Sequence, residues 1–226
     1  FFLEERHTFV VMAAEDQGIN CIDFRHEQAA AYAAHAYARV TGKPGVTTAA
    51  SGPGTLNLLT GIYTAAIDCA PMVILGGAGP VHEIGREAFQ EVDQQTIIDP
   101  LVKWSSRPTQ AARYPEVVSM AFREAVNGRP GPVYIDCGAD VLYEEVEEDE
   151  AIKGTHAARR TRPAAEPGAV KEVIDMMSAA QRPIIFAGGG AFFSGSAPEL
   201  ERFVDITKTP FYTAPMSRGL VPEDNA

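Results

Sequence analysis

A single glutamate and a glycine-rich turn are the residues of this chain best suited to chemistry. Glu27 lies just before an alanine-rich run at residues 29–40, and residues 51–57 read Ser-Gly-Pro-Gly-Thr-Leu-Asn. A carboxylate near a tight turn that leads to an amide could serve in general acid–base chemistry. An isolated glutamate in the first turn of a helix could equally do no more than stabilise that helix through the helix dipole. The residues alone leave both interpretations of Glu27 open.

The segments around these groups predict strands that lead into helices. Residues 20–24 read as a short strand, residues 29–40 have high helix propensity, and Gly42 is placed to end that helix. Residues 46–50 read as the next strand, and another apolar helix follows. Glu27 and the turn would then follow two neighbouring strands, where the ligands of open α/β sheets gather.

The rest of the N-terminal part continues this alternation. Strands that alternate with helices indicate a parallel sheet covered by helices on both faces. The predicted fold class is therefore α/β, with a doubly wound parallel sheet. Further strands are predicted at residues 71–77, 101–105 and 132–136, and further helices at residues 4–17, 61–68 and 114–127.

The composition changes in the middle of the chain. An acidic run at residues 144–150 precedes a stretch rich in Ala, Arg and Pro, which is typical of a solvated linker between domains. The predicted organisation is a first domain at 1–145, a linker at 146–167 and a second unit at 168–226. The second unit reads as the start of a Rossmann-like domain that is too short to close a sheet. Its predicted elements are helices at 170–180 and 198–207, strands at 183–187 and 210–213, and a turn at 188–190.

Composition and charge exclude several classes of function. The 226 residues are 46% hydrophobic and 22% charged, with a formal net charge of −11. Because no basic cluster interleaves with aromatic residues, nucleic acid and anionic membrane surfaces are not expected as partners. The three cysteines, Cys21, Cys69 and Cys137, are far apart and are expected to be reduced, small core residues. The protein is expected to be cytoplasmic, without a membrane span.

Common nucleotide and hydrolase motifs are absent from the sequence. The glycine run at 188–190 follows a predicted strand, but Phe193 stands where the third glycine of G-x-G-x-x-G would fall. The sequence contains neither a P-loop nor a G-x-S-x-G nucleophile motif. His26 and His35 are not spaced as metal ligands on one helix face.

Three short segments in a fixed order carry a family resemblance. They read Arg-His-Glu-Gln-Ala-Ala at 25–30, Thr-Gly-Lys-Pro-Gly-Val at 41–46 and Ser-Gly-Pro-Gly-Thr-Leu-Asn at 51–57. Together with the segments at 68–73 and 88–91, they resemble the pyrimidine-binding domain of thiamine-diphosphate enzymes. The most similar branch contains acetolactate synthase, oxalyl-CoA decarboxylase and 2-hydroxyacyl-CoA lyase. The resemblance covers most of residues 19–145, and residues 168–226 would begin the family's central domain.

The resemblance implies roles for four residues of the first domain. Glu27 would be catalytic: it would hydrogen-bond N1′ of the cofactor's aminopyrimidine and so promote the proton transfer that activates the thiazolium ring. Pro53 and Asn57 match positions that line the pyrimidine. Gln90, in Phe89-Gln90-Glu91, matches a polar residue near the reacting carbon, although a polar residue of a loop could simply be solvated.

Part of the family's cofactor site is not expected in this stretch of sequence. The resemblance implies thiamine diphosphate and Mg²⁺ as cofactors, held by a Gly-Asp-Gly motif that the sequence lacks. We expect the diphosphate and metal site beyond Ala226, and expect the chain to begin inside the first domain, after its first strand. The family also implies a homodimer or homotetramer with the active site at the subunit interface.

Two branches of the family remain as alternatives for the substrate class. Phe89-Gln90-Glu91, with residues 139–142 and 215–219, favours cleavage of a 2-hydroxyacyl-CoA or decarboxylation of oxalyl-CoA. The alternative is an acetolactate synthase-like carboligase, which shares the turn at 51–54. A third alternative is a non-catalytic domain that retains the fold. Arg218 follows the predicted strand at 210–213 and could hold a CoA phosphate, although it could also be a surface arginine.

Overall fold

The chain folds into two units, which are described separately. The structure is a computed structural model that describes residues 5–154 and 161–222, with side chains from Val10 onward. Contacts divide the chain into a first unit, Phe1–Arg160, and a second unit, Thr161–Ala226. The predicted linker at 146–167 includes residues 155–160, which lie outside the described residues, and its bounds remain a prediction.

Four parallel strands form the sheet of the first unit. They are β1 (Gly45–Ala49), β2 (Met72–Ala78), β3 (Trp104–Ser106) and β4 (Pro132–Gly138), in the order β1-β2-β4-β3. The register pairs Gly45 with Met72 and Met72 with Pro132. The predicted α/β class with a parallel sheet is confirmed, and the strand expected at 101–105 begins later, at Trp104.

Helices join the strands and cover the sheet. The predicted helices at 29–40 and 114–127 are confirmed as α2 (Glu27–Thr41) and α6 (Tyr114–Val126). The helix expected at 61–68 is α4 (Leu59–Ile67), which begins earlier, and α1 (Glu5–Asp16) agrees with the prediction over its described residues. Single 3₁₀ turns lie at Val81–Glu83, Asp99–Leu101 and Ala111–Arg113. The helices are α1 (Glu5–Asp16), α2 (Glu27–Thr41), α3 (Pro53–Asn57), α4 (Leu59–Ile67), α5 (Gln94–Ile98), α6 (Tyr114–Val126) and α7 (Ala139–Leu142).

The sheet is packed on both faces. On one face, α6 contributes Val117, Ala121 and Ala125 to a buried cluster with strand residues that include Val133 and Ile135. Alternate residues of a strand point to opposite faces, so Tyr134, between these two, belongs to the other face. That face is covered in part by α2, which contacts β1 and α4. This arrangement confirms the doubly wound sheet.

Local signals fix both ends of α2, the helix that begins with Glu27. His26, in an extended conformation, caps the helix: its Nδ1 accepts a hydrogen bond from the N–H of Gln28 at 3.1 Å. Gly42 ends the helix in a left-handed conformation, as predicted. Because both ends are defined by neighbouring residues, the first turn of α2 holds Glu27 in a fixed place.

The strand predicted at 20–24 is wrong. Residues 19–24 have no regular secondary structure, and no described strand pairs with them. A short alternating segment becomes a strand only where a neighbour completes its hydrogen bonds. Ile22 remains 69% exposed, so the segment also lacks a core to pack on. Glu27 therefore begins a helix, as expected, but does not follow a strand.

The second unit contains a two-stranded parallel sheet, β5 (Ile185–Ala187) and β6 (Phe211–Thr213). The helices α8 (Pro167–Ala179) and α10 (Ala197–Thr207) agree with the prediction. The turn predicted at 188–190 is wrong, because Gly189 begins the short helix α9 (Gly189–Ser194). Phe193 of this helix is buried, and its packing outweighs the low helix propensity of glycine.

Two negative findings concern the described part of the chain. None of its helices combines the length and the apolar character needed to cross a bilayer. All three cysteines are unpaired, and Cys137 is buried in the core of the first unit. Burial, together with the nearby Asp136 carboxylate, raises the pKa of Cys137 to about 12, so its thiol stays protonated at neutral pH.

Candidate active site

The candidate site lies at the carboxyl edge of the four-stranded sheet. Strands β1 and β2 end at Ala49 and Ala78, and the neighbouring β4 ends at Gly138. Because the three strands are parallel neighbours, the segments that follow them emerge at the same edge. The segment after β1 carries the glycine-rich turn, and the segment after β2 carries the loop with Gln90. Strand β4 ends at the same edge.

The turn at 51–54 has a conformation that requires glycine. Gly52 has φ 60° and ψ −114°, a backbone conformation that residues with a Cβ rarely adopt. A Cβ built on Gly52 would also lie 2.4 Å from the backbone oxygen of Gln90. Pro53 then occupies the first turn of α3, where a missing N–H costs nothing. The turn is thus packed directly against the loop that carries Gln90.

Glu27 and Asn57 meet on the open side of the turn. The Asn57 Nδ2 atom donates a hydrogen bond to Glu27 Oε2 at 3.0 Å. A Cβ built on Gly54 would lie 3.3 Å from Glu27 Oε1, so the turn reaches this carboxylate as well. The Glu27 side chain is 34% exposed, and Pro53 and Asn57 are exposed. The carboxylate therefore has a fixed orientation and remains accessible to a ligand.

Gln90 reaches the turn from the opposite loop. Its Oε1 accepts a hydrogen bond from the Ser51 hydroxyl at 2.9 Å, and its backbone has a positive φ of 59°. The next residue, Glu91, closes the loop by accepting hydrogen bonds from the backbone N–H groups of Gly85 and Ala88. These N–H groups hold the pKa of Glu91 below its usual value. The loop is therefore tied both to itself and to the turn.

Beneath the turn lies a buried polar side chain that sequence reasoning missed. Gln94, at the start of α5, is 1% exposed. Its Oε1 accepts a hydrogen bond from the N–H of Gly52 at 2.9 Å. Its Nε2 lies within hydrogen-bond distance of Gly77 O, Tyr134 Oη at 2.8 Å and Asp136 Oδ1 at 2.7 Å. Gln94 thus joins the turn to both β2 and β4.

Asp136 is the charged centre of this buried network. It is 0% exposed, and its carboxylate accepts hydrogen bonds from Gln94, from the Tyr134 hydroxyl and from Arg107 Nε. A buried carboxylate needs such partners, and Arg107 supplies the opposite charge. Burial, with the Asp136 charge second, raises the pKa of Tyr134 well above its usual range, so this hydroxyl remains a donor.

The sequence contained one signal for this network. Asp136 lies inside a strand whose residues are all buried, and an acid at such a position requires partners. The partners could not be named from the sequence, because Gln94 and Arg107 are 42 and 29 residues away. Gln94 itself gave no signal, since a glutamine that follows Asp93 at a helix start reads as a solvated side chain.

The predicted site residues fall into two groups. Glu27, Pro53, Asn57 and Gln90 all contact or belong to the carboxyl edge of the first unit. Arg218 lies in the second unit, which is described by itself, and it follows the 3₁₀ turn Pro215–Ser217 after β6.

Arg218 lines a cleft of about 830 Å³ in the second unit, together with Lys208 and the end of β6. The buried Ser217 fixes the adjacent segment, because its hydroxyl donates to Ala187 O at 2.6 Å. The cleft therefore presents two cationic side chains: Arg218 on the segment that is tied to the end of β5, and Lys208 at the C-terminal end of α10. Asp205 also lines the cleft.

The open side of the turn can form a hydrogen bond with a ligand, and the resemblance noted above implies the N1′ nitrogen of an aminopyrimidine ring. A carboxyl group that is held by one amide keeps oxygen positions for a further hydrogen bond. The exposed Pro53 offers an apolar surface beside it. The described residues do not form a site for a divalent metal, because no group of three or more of their His, Cys, Asp or Glu side chains could hold one.

Two models of one protein family match the chain. The model of the thiamine pyrophosphate enzyme N-terminal TPP binding domain matches residues 3–97, and the model of the central domain of the same enzymes matches residues 170–226. Together they match more than half of the chain, in the order that the two units follow. Thiamine pyrophosphate is another name for thiamine diphosphate.

Individual relatives agree with the family models. The probable acetolactate synthase large subunit of Methanococcus aeolicus is 41% identical over 204 residues, which is 89% of this chain and 34% of that protein. The 2-hydroxyacyl-CoA lyase of Arabidopsis thaliana is 37% identical over 212 residues, which is 91% of this chain and 37% of that protein. The acetolactate synthase large subunit of Parasynechococcus marenigrum is 40% identical over 219 residues, which is 94% of this chain and 35% of that protein.

The chain thus spans little more than a third of the length of the curated relatives that it matches. The relatives carry two different names, so the similarity does not select between them. The two matched family models and the parallel α/β fold lead to one conclusion. The chain belongs to the thiamine pyrophosphate enzyme family.

Proposed function

We propose that the protein is a thiamine-diphosphate-dependent enzyme that acts on a carbon–carbon bond next to a carbonyl group. The observation that carries this proposal is the geometry of Glu27. Its carboxylate begins a capped helix, is oriented by Asn57 and touches the turn at Gly54, yet stays accessible. A carboxyl group fixed in this way can hold or release a proton at a bound ligand.

Each of the four candidate site residues around the turn has a separate task in this proposal. Glu27 holds a proton at the ring nitrogen N1′ of the aminopyrimidine, and Asn57 orients the carboxyl group through Oε2. Pro53 contacts the ring, and Gln90 presents its amide to the reacting part of the substrate. When bound, the cofactor would supply a nucleophilic carbon and, in its cationic ring, an acceptor for the electron pair of the broken bond.

The remaining parts of the cofactor site are proposed to lie outside this stretch of sequence. Mg²⁺ prefers carboxylate, amide and phosphate oxygens, and the described residues offer no such cluster. We propose that a further domain of a second subunit supplies the metal and diphosphate site and faces Glu27. The functional unit would then be at least a homodimer.

The favoured substrate class is an acyl-CoA, as in a 2-hydroxyacyl-CoA lyase or an oxalyl-CoA decarboxylase. Support comes from the cleft of the second unit, whose lining includes Arg218 and Lys208, the latter with its Nζ 4.0 Å from Asp205 Oδ1. Guanidinium and ammonium groups bind phosphate oxygens, and an arginine can do so with two hydrogen bonds. A relative in Arabidopsis thaliana carries the name 2-hydroxyacyl-CoA lyase.

Acetolactate synthase-like carboligation is the second candidate. It is favoured by the relatives named acetolactate synthase large subunit, which reach 41% and 40% identity with this chain. Both candidates would use Glu27 in the same way, because they share the cofactor. They differ in whether the substrate carries a phosphate-rich CoA group.

Calorimetric titration of the full-length protein with thiamine diphosphate tests the cofactor. We expect saturable binding in the presence of Mg²⁺ and much weaker binding after the metal is chelated, because the diphosphate needs its counter-charge. Absence of binding under both conditions would contradict both enzymatic candidates and favour a non-catalytic domain that retains the fold.

Kinetics on two substrates test the substrate class. Arg218→Ala should raise KM for an acyl-CoA substrate several-fold and leave kcat nearly unchanged, the signature of lost uniform binding. Arg202→Ala is a matched control, because Arg202 is an exposed arginine of α10 outside the cleft lining. Conversion of pyruvate to acetolactate, without cleavage of any acyl-CoA, would contradict the favoured candidate and support the second.

A further inference from the structure

We propose that Gln94 is a positioning residue that holds the turn at 51–54 in the shape that Glu27 and Gln90 require. Gln94 is 1% exposed and lies beneath the turn, so it cannot be reached by a ligand on the open side. The inference rests on the proposed roles of Glu27 and Gln90 and extends them to a residue that touches neither the cofactor nor the substrate.

The first step concerns the N–H group of Gly52. Gly52 is buried and precedes the first residue of α3, so its N–H is not part of the hydrogen-bond ladder of that helix. A buried N–H without a partner is destabilising, because it loses its hydrogen bonds to water and gains none in the protein. Gln94 Oε1 is the acceptor that satisfies it, at 2.9 Å. Without this acceptor, the present conformation of the turn would be less stable.

The second step concerns the direction in which the Gln94 amide points. An ionised carboxylate only accepts hydrogen bonds, so the Asp136 carboxylate requires the nitrogen of the amide on its side. Arg107 pairs with the other oxygen of this carboxylate. If the amide turned over, its oxygen would face the carboxylate and its nitrogen would face the Gly52 N–H. The charge of Asp136 therefore fixes Gln94 Oε1 toward the turn.

The third step leads from the turn to the candidate site. Ser51, next to Gly52, donates its hydroxyl hydrogen to Gln90 Oε1 at 2.9 Å. On the other side, Gly54 lies against Glu27 Oε1. A movement of the turn would therefore displace both groups with a proposed role at the reacting atoms. Displacements of about 1 Å can lower catalytic rates by about 100-fold.

The main test is Gln94→Met in the full-length protein, because methionine fills a similar volume without a hydrogen-bonding amide. We expect the amide hydrogens of peptides that span residues 50–58 to exchange at least about tenfold faster, since exchange reports local opening. We also expect kcat to fall by about 10-fold to 100-fold. Gln95→Met is the matched control, because Gln95 contacts Ser105 and not the turn. It should leave both readouts unchanged.

A second variant tests the direction of the amide. In Gln94→Glu, the introduced carboxyl group can replace the amide only when protonated: its O–H then donates to Asp136 while its carbonyl accepts from Gly52. Burial and the Asp136 charge, which Arg107 partly offsets, should raise the pKa of the introduced group. Turnover should therefore recover as the pH falls, which neither wild type nor Gln94→Met should do. If Gln94→Met does not fold, the pH dependence of Gln94→Glu turnover is the test of the positioning role.

The outcomes separate this inference from the proposed function. Unchanged exchange in residues 50–58, or unchanged turnover of a folded Gln94→Met protein, would overturn the positioning role alone. Absence of thiamine diphosphate binding by the wild-type protein would contradict the proposed function and this role together. Faster exchange in the turn with slower turnover, and with an unchanged Gln95→Met control, would establish Gln94 as a positioning residue.

Discussion

The two sides of the turn at 51–54 hold polar groups in opposite environments. On the open side, the Glu27 side chain is 34% exposed and is held by the exposed Asn57. On the buried side, Gln94 and Asp136 are 1% and 0% exposed, and each has several protein partners. A buried polar network must be complete within the protein, whereas an exposed pair can exchange water for a ligand. The buried side supplies a rigid support, and the open side is available for chemistry.

This difference separates stability from activity. A change on the open side removes a group that water can replace, so it should leave folding nearly intact. A change on the buried side leaves donors or acceptors without partners, so it should destabilise the first unit. Substitutions that alter one charge on each side therefore test whether stability and activity are separated in this way.

The largest effect is expected for Glu27→Gln on the open side. A neutral amide cannot hold and release the proton, and loss of a general acid–base residue typically lowers turnover by about 10²–10⁴-fold. Cofactor affinity and the thermal unfolding midpoint should change little, because the side chain is partly exposed. Steady-state kinetics, calorimetric titration and thermal unfolding of the same preparation provide the measurements. Near-normal turnover would show that Glu27 is not the acid–base residue.

The next largest effect is expected for Asp136→Asn on the buried side. The substitution removes one partner of a buried ion pair and places an amide between Arg107 and Gln94. Because Arg107 is 23% exposed and can be partly hydrated, we expect the lower end of the range for broken buried pairs, about 3 kcal/mol.

Thermal unfolding of the apo-protein measures the effect of Asp136→Asn. Asp23→Asn is the control, since Asp23 is exposed and surface substitutions usually change stability by about 0.5 kcal/mol or less. If both variants unfold at the same temperature, the buried network does not support the first unit as the comparison requires.

Local patterns predicted the helix that begins near Glu27, its end at Gly42 and the turn at 51–57, because helix caps and turns depend on neighbouring residues. The role of Glu27 came from the family resemblance, and no local pattern predicted the buried side. Gln94 was missed because its acceptors and donors on Gly52, Tyr134 and Asp136 are 40 to 42 residues away.

The two wrong element predictions have the same cause. The segment at 20–24 alternates like a strand, but a strand also needs a neighbour, and the described sheet provides none there. The glycines at 188–190 read as a turn, but buried Phe193 draws them into α9. In both cases the deciding contact is distant in sequence or depends on packing, and neither leaves a local pattern.

The smallest effect is expected for Glu91→Gln, a substitution in the loop that carries Gln90. In the folded protein, hydrogen bonds from the N–H groups of Gly85 and Ala88 lower the pKa of Glu91 below its usual value of 4.5. A group with a lowered folded pKa stabilises the protein above its unfolded pKa, and this stabilisation is lost as the pH falls through the folded pKa. The thermal unfolding midpoint of Glu91→Gln should therefore lie slightly below that of wild type near neutral pH.

The acid dependence of this gap distinguishes a carboxylate that is held by N–H groups from one that is merely solvated. Measured between about pH 3 and 7, the gap between wild type and Glu91→Gln should narrow as the pH falls below about 4.5, because the protonated side chain no longer differs in charge from glutamine. Glu87→Gln changes an exposed glutamate of the same loop and should give no such narrowing. A gap that stays constant over this range would mean that the Glu91 charge does not hold the loop. The fixed position of Gln90 would then depend on Ser51 and the turn alone.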